Sequence, residues 1–221
     1  MPKLDDRLKA VAVQIRSRVH ADIGSDHGHL LKALLTSGRI ERGIAIEVNQ
    51  RPCENSRSTL VGLAADVRLA DGLAGLSPGE ADSLSICGMG GELITRILET
   101  HPERVPPDLV LQPNRRPDAV RRWALQAGFH LVDEQLVVGR LRYVVMRYRL
   151  DRSSADPAYD AMDHEAALLF GPLLIQRWES QLQGVLLDEY QYLKELQQRT
   201  EQSQHRLNVL AKLLRLKGLL D

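Results

Sequence analysis

The sequence predicts an α/β fold of the Rossmann-like type, in which a mostly parallel sheet ends in an antiparallel edge hairpin and a helical segment follows. Short apolar runs alternate with helix-compatible segments, as in a parallel sheet covered by helices. The stretch Val19–Leu30, V-H-A-D-I-G-S-D-H-G-H-L, reads as a strand, a glycine turn and a helix start. Beyond residue 157 the strand pattern gives way to leucines at helical spacing.

The composition allows one full core and a small second domain. The chain has 221 residues, 43% hydrophobic and 26% charged, with a net charge of zero. Residues 1–150 hold 21 Lys and Arg against 18 Asp and Glu, and residues 151–221 hold 8 against 11. A nucleic-acid surface must therefore be a local patch. The polar, proline-containing stretch 151–157 marks a boundary, so we expect domains at 1–153 and 154–221.

The cysteines and the absence of long apolar runs indicate where the protein works. Cys53 and Cys87 have neither disulfide-framework nor metal-site spacing, which fits a reducing cytoplasm. No basic and apolar leader and no membrane-length apolar run is present in the sequence. We expect a soluble cytoplasmic protein that binds no membrane and no metal, with a monomer favoured.

The elements of the first half follow from apolar periodicity. Leu4, Leu8, Val11 and Ile15 lie at helical spacing, which predicts an amphipathic helix with a structural role. The elements expected next are a strand at Val19–Ile23, a helix over 28–37, a buried strand over 43–48, a helix opened by Pro52 and a strand over 67–70.

The elements of the second half end in a hairpin. A strand over 83–87 runs into the glycine-rich loop 88–91, and the following elements are a helix over 92–100, a strand over 109–114 and a helix around 118–127. The strands 131–138 and 143–149 are separated by too few residues for a crossover helix. They should therefore pair antiparallel at the sheet edge.

The C-terminal part is predicted to be helical. A Gly171-Pro172 break precedes two leucine stripes, which are separated by the polar run 197–205. Two helices folded back as a coiled-coil hairpin would bury both stripes, whereas a single rod would expose them.

Acidic residues follow the first three strands. Asp22 and Asp26 belong to the first strand and its turn, Glu47 ends the second strand, and Asp71 follows the third. Glu47 stands where doubly wound folds place a ribose-binding carboxylate, and Asp71 can accept a hydrogen bond from an adenine amino group. Each acid is equally consistent with helix capping.

The charge of the first turn selects the cofactor class. A pyrophosphate prefers a loop without carboxylates, but this loop carries Asp26 and contains no Lys or Arg before Lys32. A sulfonium and an ammonium group would be attracted, which points to S-adenosylmethionine rather than NAD. The helix N–H groups near Gly28 remain for the cofactor's carboxylate. His27 and His29 flank Gly28 without a third ligand, which argues against a metal site.

Two further turns are candidates for the acceptor side. The glycines of Gly88-Met89-Gly90-Gly91 allow close backbone approach to a ligand, although a plain tight turn explains them as well. Asn114, in Gln112-Pro113-Asn114, can hydrogen-bond a base edge, but by composition alone a turn-forming Asn is favoured.

Taken together, these motifs resemble one family. D-I-G-S-D-H at 22–27, E-V at 47–48, D-G at 71–72, G-M-G-G at 88–91, L-Q-P-N at 111–114 and F-G-P-L-L at 170–174 resemble the bacterial tRNA (adenine-22-N1)-methyltransferases, TrmK. The resemblance implies a class I methyltransferase fold and methyl transfer from S-adenosylmethionine to N1 of a tRNA adenine. N1 of neutral adenine already carries a lone pair, so positioning should matter more than a strong base.

This resemblance and the turns together give the expected site residues. Asp26 and Asn114 are expected to act in catalysis. The expected cofactor-binding residues are Asp22, Gly24, Asp26, His27, Glu47, Val48, Asp71, Gly72, Gly88 and Met89. The expected tRNA-binding residues are Gly90, Gly91, Gln112, Pro113, Asn114, Arg115, Arg116, Arg121, Arg140 and Arg142. Arg206, Lys212, Arg215 and Lys217 suggest a second tRNA contact in the C-terminal hairpin, although arginines and lysines of this kind also occur as plain solvated faces.

Three alternatives remain at this point. The chain is consistent with a methyltransferase for another RNA position or for a small molecule. It is also consistent with a non-catalytic RNA-binding protein that keeps a vestigial cofactor pocket, although the acids after the first three strands argue against this. An NAD-dependent dehydrogenase is disfavoured by Asp26 and by the missing G-x-G-x-x-G.

Overall fold

A computed structural model describes residues 4–139 and 141–221. The chain divides into two compact units, of which the first ends at Asp156 and the second is Pro157–Asp221. The sequence placed the division between 153 and 154, three residues earlier.

The first unit contains a seven-stranded sheet in the order β3-β2-β1-β4-β5-β7-β6. Strands β1 to β5 are parallel, and β7 pairs antiparallel with both β5 and β6. The Rossmann-like fold with an antiparallel edge hairpin is thereby confirmed. The strands are β1 Val19–Ile23, β2 Arg42–Glu47, β3 Ala65–Leu69, β4 Ser83–Gly90, β5 Asp108–Arg115, β6 Phe129–Val138 and β7 Arg142–Leu150.

The strand order creates a crevice beside β1. The chain builds β1, β2 and β3 in one direction and then returns to place β4 on the other side of β1. At such a switch point the connections leave β1 and β4 in opposite directions, and a crevice opens outside their carboxyl ends. Ligands of doubly wound folds bind there, and the acid- and glycine-containing turns of the sequence reach this edge.

The described residues of the first unit form five α-helices: α1 Asp6–Gln14, α2 His29–Thr36, α3 Gln50–Thr59, α4 Gly91–Thr100 and α5 Pro117–Ala127. Asp5 caps α1 by accepting a hydrogen bond from the Leu8 N–H at 2.7 Å. Helix α3 begins two residues before the predicted start at Pro52, which lies in the first turn, where a missing N–H costs nothing. A 3₁₀ helix, Gly72–Gly75, follows β3.

The two predicted acceptor turns are strand ends. Strand β4 continues through Gly90, and its pairing with β5 shifts register around Met89. Strand β5 likewise includes Gln112, Pro113 and Asn114. The predicted glycine-rich loop is therefore an irregular strand end, because a β-bulge lets a strand bend while it stays paired.

Helix α1 packs against the sheet through the predicted apolar face. Val11 and Ile15 are completely buried and belong to one core cluster with Leu30, Leu31 and Leu34 of α2. This packing fixes α1 beside the carboxyl ends of the strands, because α1 also contacts β5, β6 and β7.

The second unit is helical. Its helices are α6 His164–Phe170, α7 Pro172–Arg177, α8 Ser180–Glu195 and α9 Glu201–Leu216. The predicted break at Gly171-Pro172 separates α6 from α7. Helices α8 and α9 contact each other, with Arg206 paired to Glu189, while their winding as a coiled coil stays a prediction. No helix among the described residues has both the length and the apolar character needed to cross a bilayer.

Candidate functional site

A cavity of about 580 Å³ opens at the carboxyl ends of β1 and β4. At this edge of the sheet, the parallel strands end and the turns that follow them begin. Its walls come from α1, the turn between β1 and α2, the end of β4, and single residues of β5 and β7: Asp5, Arg7, Leu8, Asp22, Gly24, Ser25, Asp26, His27, His29, Leu30, Cys87, Gly88, Met89, Asn114 and Tyr143.

The turn after β1 has a backbone that few residues tolerate. Gly24 has φ 72°, Asp26 has φ 57° and Gly28 has φ 68°. A Cβ on Gly24 would lie 2.3 Å from Cε of Met89, so this glycine also makes room for the end of β4. The left-handed φ of Asp26 is compatible with a short polar side chain.

Glu47 holds this turn in place. The Asp26 N–H donates a hydrogen bond to Glu47 Oε1. Burial raises the pKa of Glu47, and the hydrogen bond from the Asp26 N–H opposes that shift. Glu47 therefore braces the turn through one oxygen of its carboxylate.

Asp22 is the buried carboxylate of the cavity wall. It is 4% exposed, and its Oδ1 accepts a hydrogen bond from the Ser85 hydroxyl at 2.6 Å. Burial raises the pKa of Asp22 to about 6, although the Ser85 hydrogen bond and the positive charge of Arg7 oppose the shift. Asp22 is therefore ionised at neutral pH and loses its charge in mild acid.

The capping alternative for these acids does not fit the structure. The N-cap residues of α2 and α3 are Gly28 and Asn49. Asp71 precedes the 3₁₀ helix, but its side chain makes no capping hydrogen bond. The carboxylates of Asp22, Glu47 and Asp71 are therefore not explained by helix starts.

Asn114 is fixed in orientation by the end of β4. Its Nδ2 donates to the Gly88 carbonyl at 2.6 Å, and its Oδ1 accepts from Gln112 Nε2 at 3.1 Å. The Oε1 of Gln112 in turn accepts from the Gly88 N–H at 3.1 Å. One N–H and one lone pair of Asn114 stay available, so its amide presents a donor and an acceptor side by side.

The sequence interpretation missed the contribution of α1. Arg7 lines the cavity, donates from Nη1 to Gln112 Oε1 at 2.7 Å, and lies 5.8 Å from the ring centroid of Tyr143. The apolar stripe of α1 marked it as structural, and no motif joined Arg7 to residues more than a hundred positions later. The available signal was the position of Arg7 beside Leu8 on a helix that must pack near the strand ends.

Four predicted cofactor residues lie outside the lining of this cavity: Glu47, Val48, Asp71 and Gly72. Val48 follows β2 and is 61% exposed. Asp71 is exposed, and Gly72 is buried with φ 52°, where a Cβ would meet Ile97 at 3.0 Å. Val48 and Asp71 follow adjacent parallel strands at the same sheet edge, so an elongated ligand that extends from the cavity can reach them.

The remaining predicted acceptor residues divide into structural and exposed ones. Gln112 and Pro113 are buried in β5, and Gly91 starts α4 against the Arg116 backbone. A Cβ on Gly91 would lie 2.1 Å from the Arg116 carbonyl oxygen, whereas a Cβ on Gly90 would have nothing within 4 Å.

The predicted arginines also differ. Arg121 is completely buried, with Nη2 2.8 Å from Glu134 Oε1, so it cannot reach RNA phosphates and the expectation for it is wrong. Arg116 is exposed and pairs with Asp118 and Glu92. Arg115 and Arg142 are exposed, and Arg140 lies outside the described residues.

The donor set fits a cationic cofactor. Asp22 and Asp26 line the cavity with Glu47 beside them, and a pyrophosphate would meet all three carboxylates. Within residues 4–139 and 141–221, no group of three His, Cys, Asp or Glu side chains is placed to hold a metal ion. Cys53 and Cys87 are free thiols, and burial raises the pKa of Cys87.

Comparison with known proteins gives a consistent result. Residues 20–217 match the family model TrmK, tRNA (adenine(22)-N(1))-methyltransferase. A tRNA (adenine(22)-N(1))-methyltransferase of Bacillus subtilis strain 168 is 33% identical over 95% of this chain and 93% of that protein.

Solved structures agree in fold. The crystal structure of the B. subtilis m1A22 tRNA methyltransferase TrmK superposes with a TM-score of 0.85 at 31% identity and covers 100% of both chains. Streptococcus pneumoniae Sp1610 in complex with S-adenosyl-L-methionine has a TM-score of 0.83 at 27% identity, with 96% of this chain and 100% of that chain covered.

Proposed function

The chain belongs to the tRNA (adenine(22)-N(1))-methyltransferase family, TrmK, and on that premise we propose which residues hold its two substrates. The protein is an enzyme that transfers a methyl group from S-adenosylmethionine to N1 of adenine 22 in tRNA. The observation that carries the residue assignment is the single cavity that joins the buried carboxylate of Asp22 to the oriented amide of Asn114. A tRNA substrate favours the cytoplasm as the location.

The turn after β1 and the adjoining strand ends form the cofactor side. S-adenosylmethionine supplies an electrophilic methyl group on a positively charged sulfur. Asp22 and Asp26 provide negative charge for its cationic groups, and the glycines at 24 and 88 allow the backbone to approach. Glu47 offers its second oxygen to the ribose, and Asp71 with Gly72 contacts the adenine end from the neighbouring strand.

Asn114 positions the acceptor base. Its free N–H can donate to N7 of adenine, and its free lone pair can accept from the N6 amino group. One amide side chain binds this edge of adenine with two hydrogen bonds. Holding adenine by this edge leaves N1 unobstructed and facing the cofactor side. An amide bound directly to N1 would instead block the lone pair that attacks.

The reaction needs orientation rather than a base. The N1 lone pair forms the new C–N bond while the C–S electrons leave with sulfur, so the base gains the positive charge that sulfur loses. No proton is removed at N1. Alignment of N1 with the methyl group therefore provides most of the rate, and Gln112 contributes by holding Asn114. Because N1 lies on the Watson–Crick edge, the base must be unpaired to enter.

RNA phosphates are held by exposed arginines beside the cavity. Arg115 and Arg116 follow Asn114 directly, and Arg142 starts the edge strand β7. One guanidinium group can bind two phosphate oxygens at once, and such contacts supply affinity without base specificity. Arg116 must exchange its partners Asp118 and Glu92 to take part, so Arg115 is expected to contribute more.

A pair of tRNA transcripts tests this function. One transcript is unmodified tRNA, and the other carries guanine instead of adenine at position 22. With labelled S-adenosylmethionine, the first should accept about one methyl group per molecule and the second almost none. Equal labelling of both transcripts would show that another nucleotide is modified. Calorimetry should also detect S-adenosylhomocysteine and not NAD, and the reverse would reject the cofactor assignment.

A further inference from the structure

Strand β1 carries two polar side chains in a fully buried position. His20 is 0% exposed and Asp22 is 4% exposed, although a central parallel strand is normally a continuous apolar run. Successive strand residues alternate between faces, so His20 and Asp22 share one face. Their register partners on β4 are Ser83 and Ser85. This cross-strand polar cluster has no role in the binding scheme above apart from Asp22.

The four side chains form one unbroken hydrogen-bond chain. His20 Nδ1 lies 2.7 Å from Ser83 Oγ, and His20 Nε2 lies 2.9 Å from Ser85 Oγ. Ser85 Oγ donates to Asp22 Oδ1 at 2.6 Å. The chain thus crosses the interior of the sheet and ends at the cavity wall.

The direction of every hydrogen bond in this chain follows from the ionised carboxylate of Asp22 at its end. An ionised carboxylate only accepts, so the single hydroxyl hydrogen of Ser85 points to Asp22. Ser85 must then accept from His20, which places the ring hydrogen on Nε2 and leaves Nδ1 to accept from Ser83. This requires a neutral ring, and burial lowers the pKa of His20 to about 3.

We propose that His20 is a positioning residue for the cofactor, which acts through Ser85 to hold the carboxylate of Asp22 ionised and oriented into the cavity. The inference rests on the proposed function, because it assigns Asp22 to the ammonium group, the cationic group that S-adenosylmethionine and S-adenosylhomocysteine share. His20 itself touches no substrate.

The physical reason is that Asp22 needs support for its charge. Burial works against ionisation of this carboxyl, and the Ser85 hydrogen bond works for it. A hydroxyl that itself accepts a hydrogen bond becomes a stronger donor, so His20 strengthens the contact from Ser85 to Asp22. Among the charged groups nearby, Arg7 also favours the ionised form, whereas the carboxylates of Asp22 and Glu47 repel each other.

Binding of S-adenosylhomocysteine, measured by calorimetry across pH, tests the proposal. His20→Leu removes the hydrogen bond that orients the Ser85 hydroxyl toward Asp22, so binding should weaken up to about tenfold at pH 7, the upper end of what one hydrogen bond contributes, and the acid limb of the profile should move to higher pH. His20→Gln keeps a donor at the place of Nε2, so its affinity should return to within about threefold of the unaltered protein.

A double-mutant cycle separates positioning from stability. In a Ser85→Ala background, His20→Leu should change affinity less than about twofold, because the link to Asp22 is already lost. Val19→Ala removes apolar packing from the same strand and should lower Tm without changing affinity. If His20→Leu does not fold, His20→Asn replaces it, since its shorter amide reaches Ser83 but not Ser85.

Two results would overturn the proposal: unchanged affinity of the folded His20 variant, or the same loss of affinity with and without Ser85. Both leave the proposed function intact when the unaltered protein binds S-adenosylhomocysteine. Failure of the unaltered protein to bind it would instead reject the cofactor assignment itself.

Discussion

Asp22, which we propose binds the ammonium group of the cofactor, shows how one buried carboxyl can make ligand binding depend on pH. Its burial raises its pKa, and its contacts with Ser85 and the charge of Arg7 limit the rise. A cation beside it favours the ionised form further, so cofactor binding and ionisation are linked. The sequence could place Asp22 at the strand end, but the size of this effect depends on burial that only the fold creates.

The pH dependence of cofactor binding tests this linkage. With a pKa of about 6, only about a tenth of Asp22 is ionised at pH 5. The affinity for S-adenosylhomocysteine should therefore fall about tenfold between pH 7 and pH 5 in calorimetric titrations. The decrease should be absent in Asp22→Asn, whose affinity is low throughout. A flat profile for the unaltered protein would contradict the role given to this carboxylate.

Asn114 is the residue that we propose for the acceptor side. By composition it looked like a turn former, but the structure gives its amide two partners and a defined orientation at the end of β5. Residue type and motif order were sufficient to nominate Asn114. The supporting contacts from Gln112 and Gly88 join residues on neighbouring strands, and pairing register cannot be read from one sequence.

Substitution of Asn114 should separate chemistry from binding. Asn114→Ala should lower kcat for tRNA methylation about a hundredfold, because a misplaced base loses alignment with the methyl group. Its affinity for S-adenosylhomocysteine should change less than about threefold. The matched control is Arg115→Ala, which should raise KM for tRNA and leave kcat nearly unchanged. If Asn114→Ala kept its kcat, another group would have to orient the adenine.

At the scale of elements, Gly90 and Gly91 at the end of β4 look like one glycine motif in the sequence, but the structure places different demands on them. Gly91 must be glycine because α4 starts against the backbone of Arg116, whereas Gly90 faces open space. The glycine run predicted that the backbone comes close to a neighbour. It could not show whether that neighbour is a ligand or the backbone at the start of α5. Arg121 shows a similar ambiguity. In the sequence it belongs to a basic cluster and looks like an RNA contact, but in the structure it is buried and paired with Glu134.

A pair of alanine variants tests the division between the two glycines. Gly91→Ala should lower the free energy of unfolding by about 2 kcal/mol, since its Cβ would overlap backbone atoms that cannot move cheaply. Gly90→Ala, which meets nothing within 4 Å, should change it by less than about 0.5 kcal/mol. Urea unfolding followed by circular dichroism measures both. Equal stability of the two variants would refute the packing explanation for Gly91.

At the scale of the whole molecule, the chain consists of two compact units, and tRNA binding by the second unit is a prediction. The sequence predicted the doubly wound unit well, because strand periodicity, glycine turns and the short hairpin connection are all local signals. The helical part was predicted as a hairpin from its leucine stripes. In that unit Arg206 pairs with Glu189 and stacks on Phe170, Lys212 pairs with Asp163, and Lys217 lies over Trp178. Partners of this kind were not visible in the charge pattern alone.

A charge reversal in α9 tests whether the helical unit grips tRNA. Arg215 is exposed and its Nε donates to the Asp221 carbonyl. Arg215→Glu should weaken tRNA binding severalfold and lower its salt dependence, while the affinity for S-adenosylhomocysteine stays constant. Lys194→Glu makes the same charge change on α8 and serves as the control. Equal losses from both variants would indicate a net-charge effect and no specific contact through α9.

The most direct test of the central claim is the identity and position of the methylated nucleoside. Unmodified tRNA is incubated with the enzyme and S-adenosylmethionine, cut by a nuclease, and analysed by mass spectrometry against standards for the methyladenosines. An acceptor held by its N6 and N7 edge predicts 1-methyladenosine at position 22 and no other methylated nucleoside. Methylation at N6 of the same base would contradict the placement of adenine by Asn114, and methylation of a different nucleotide would contradict the position given by the family.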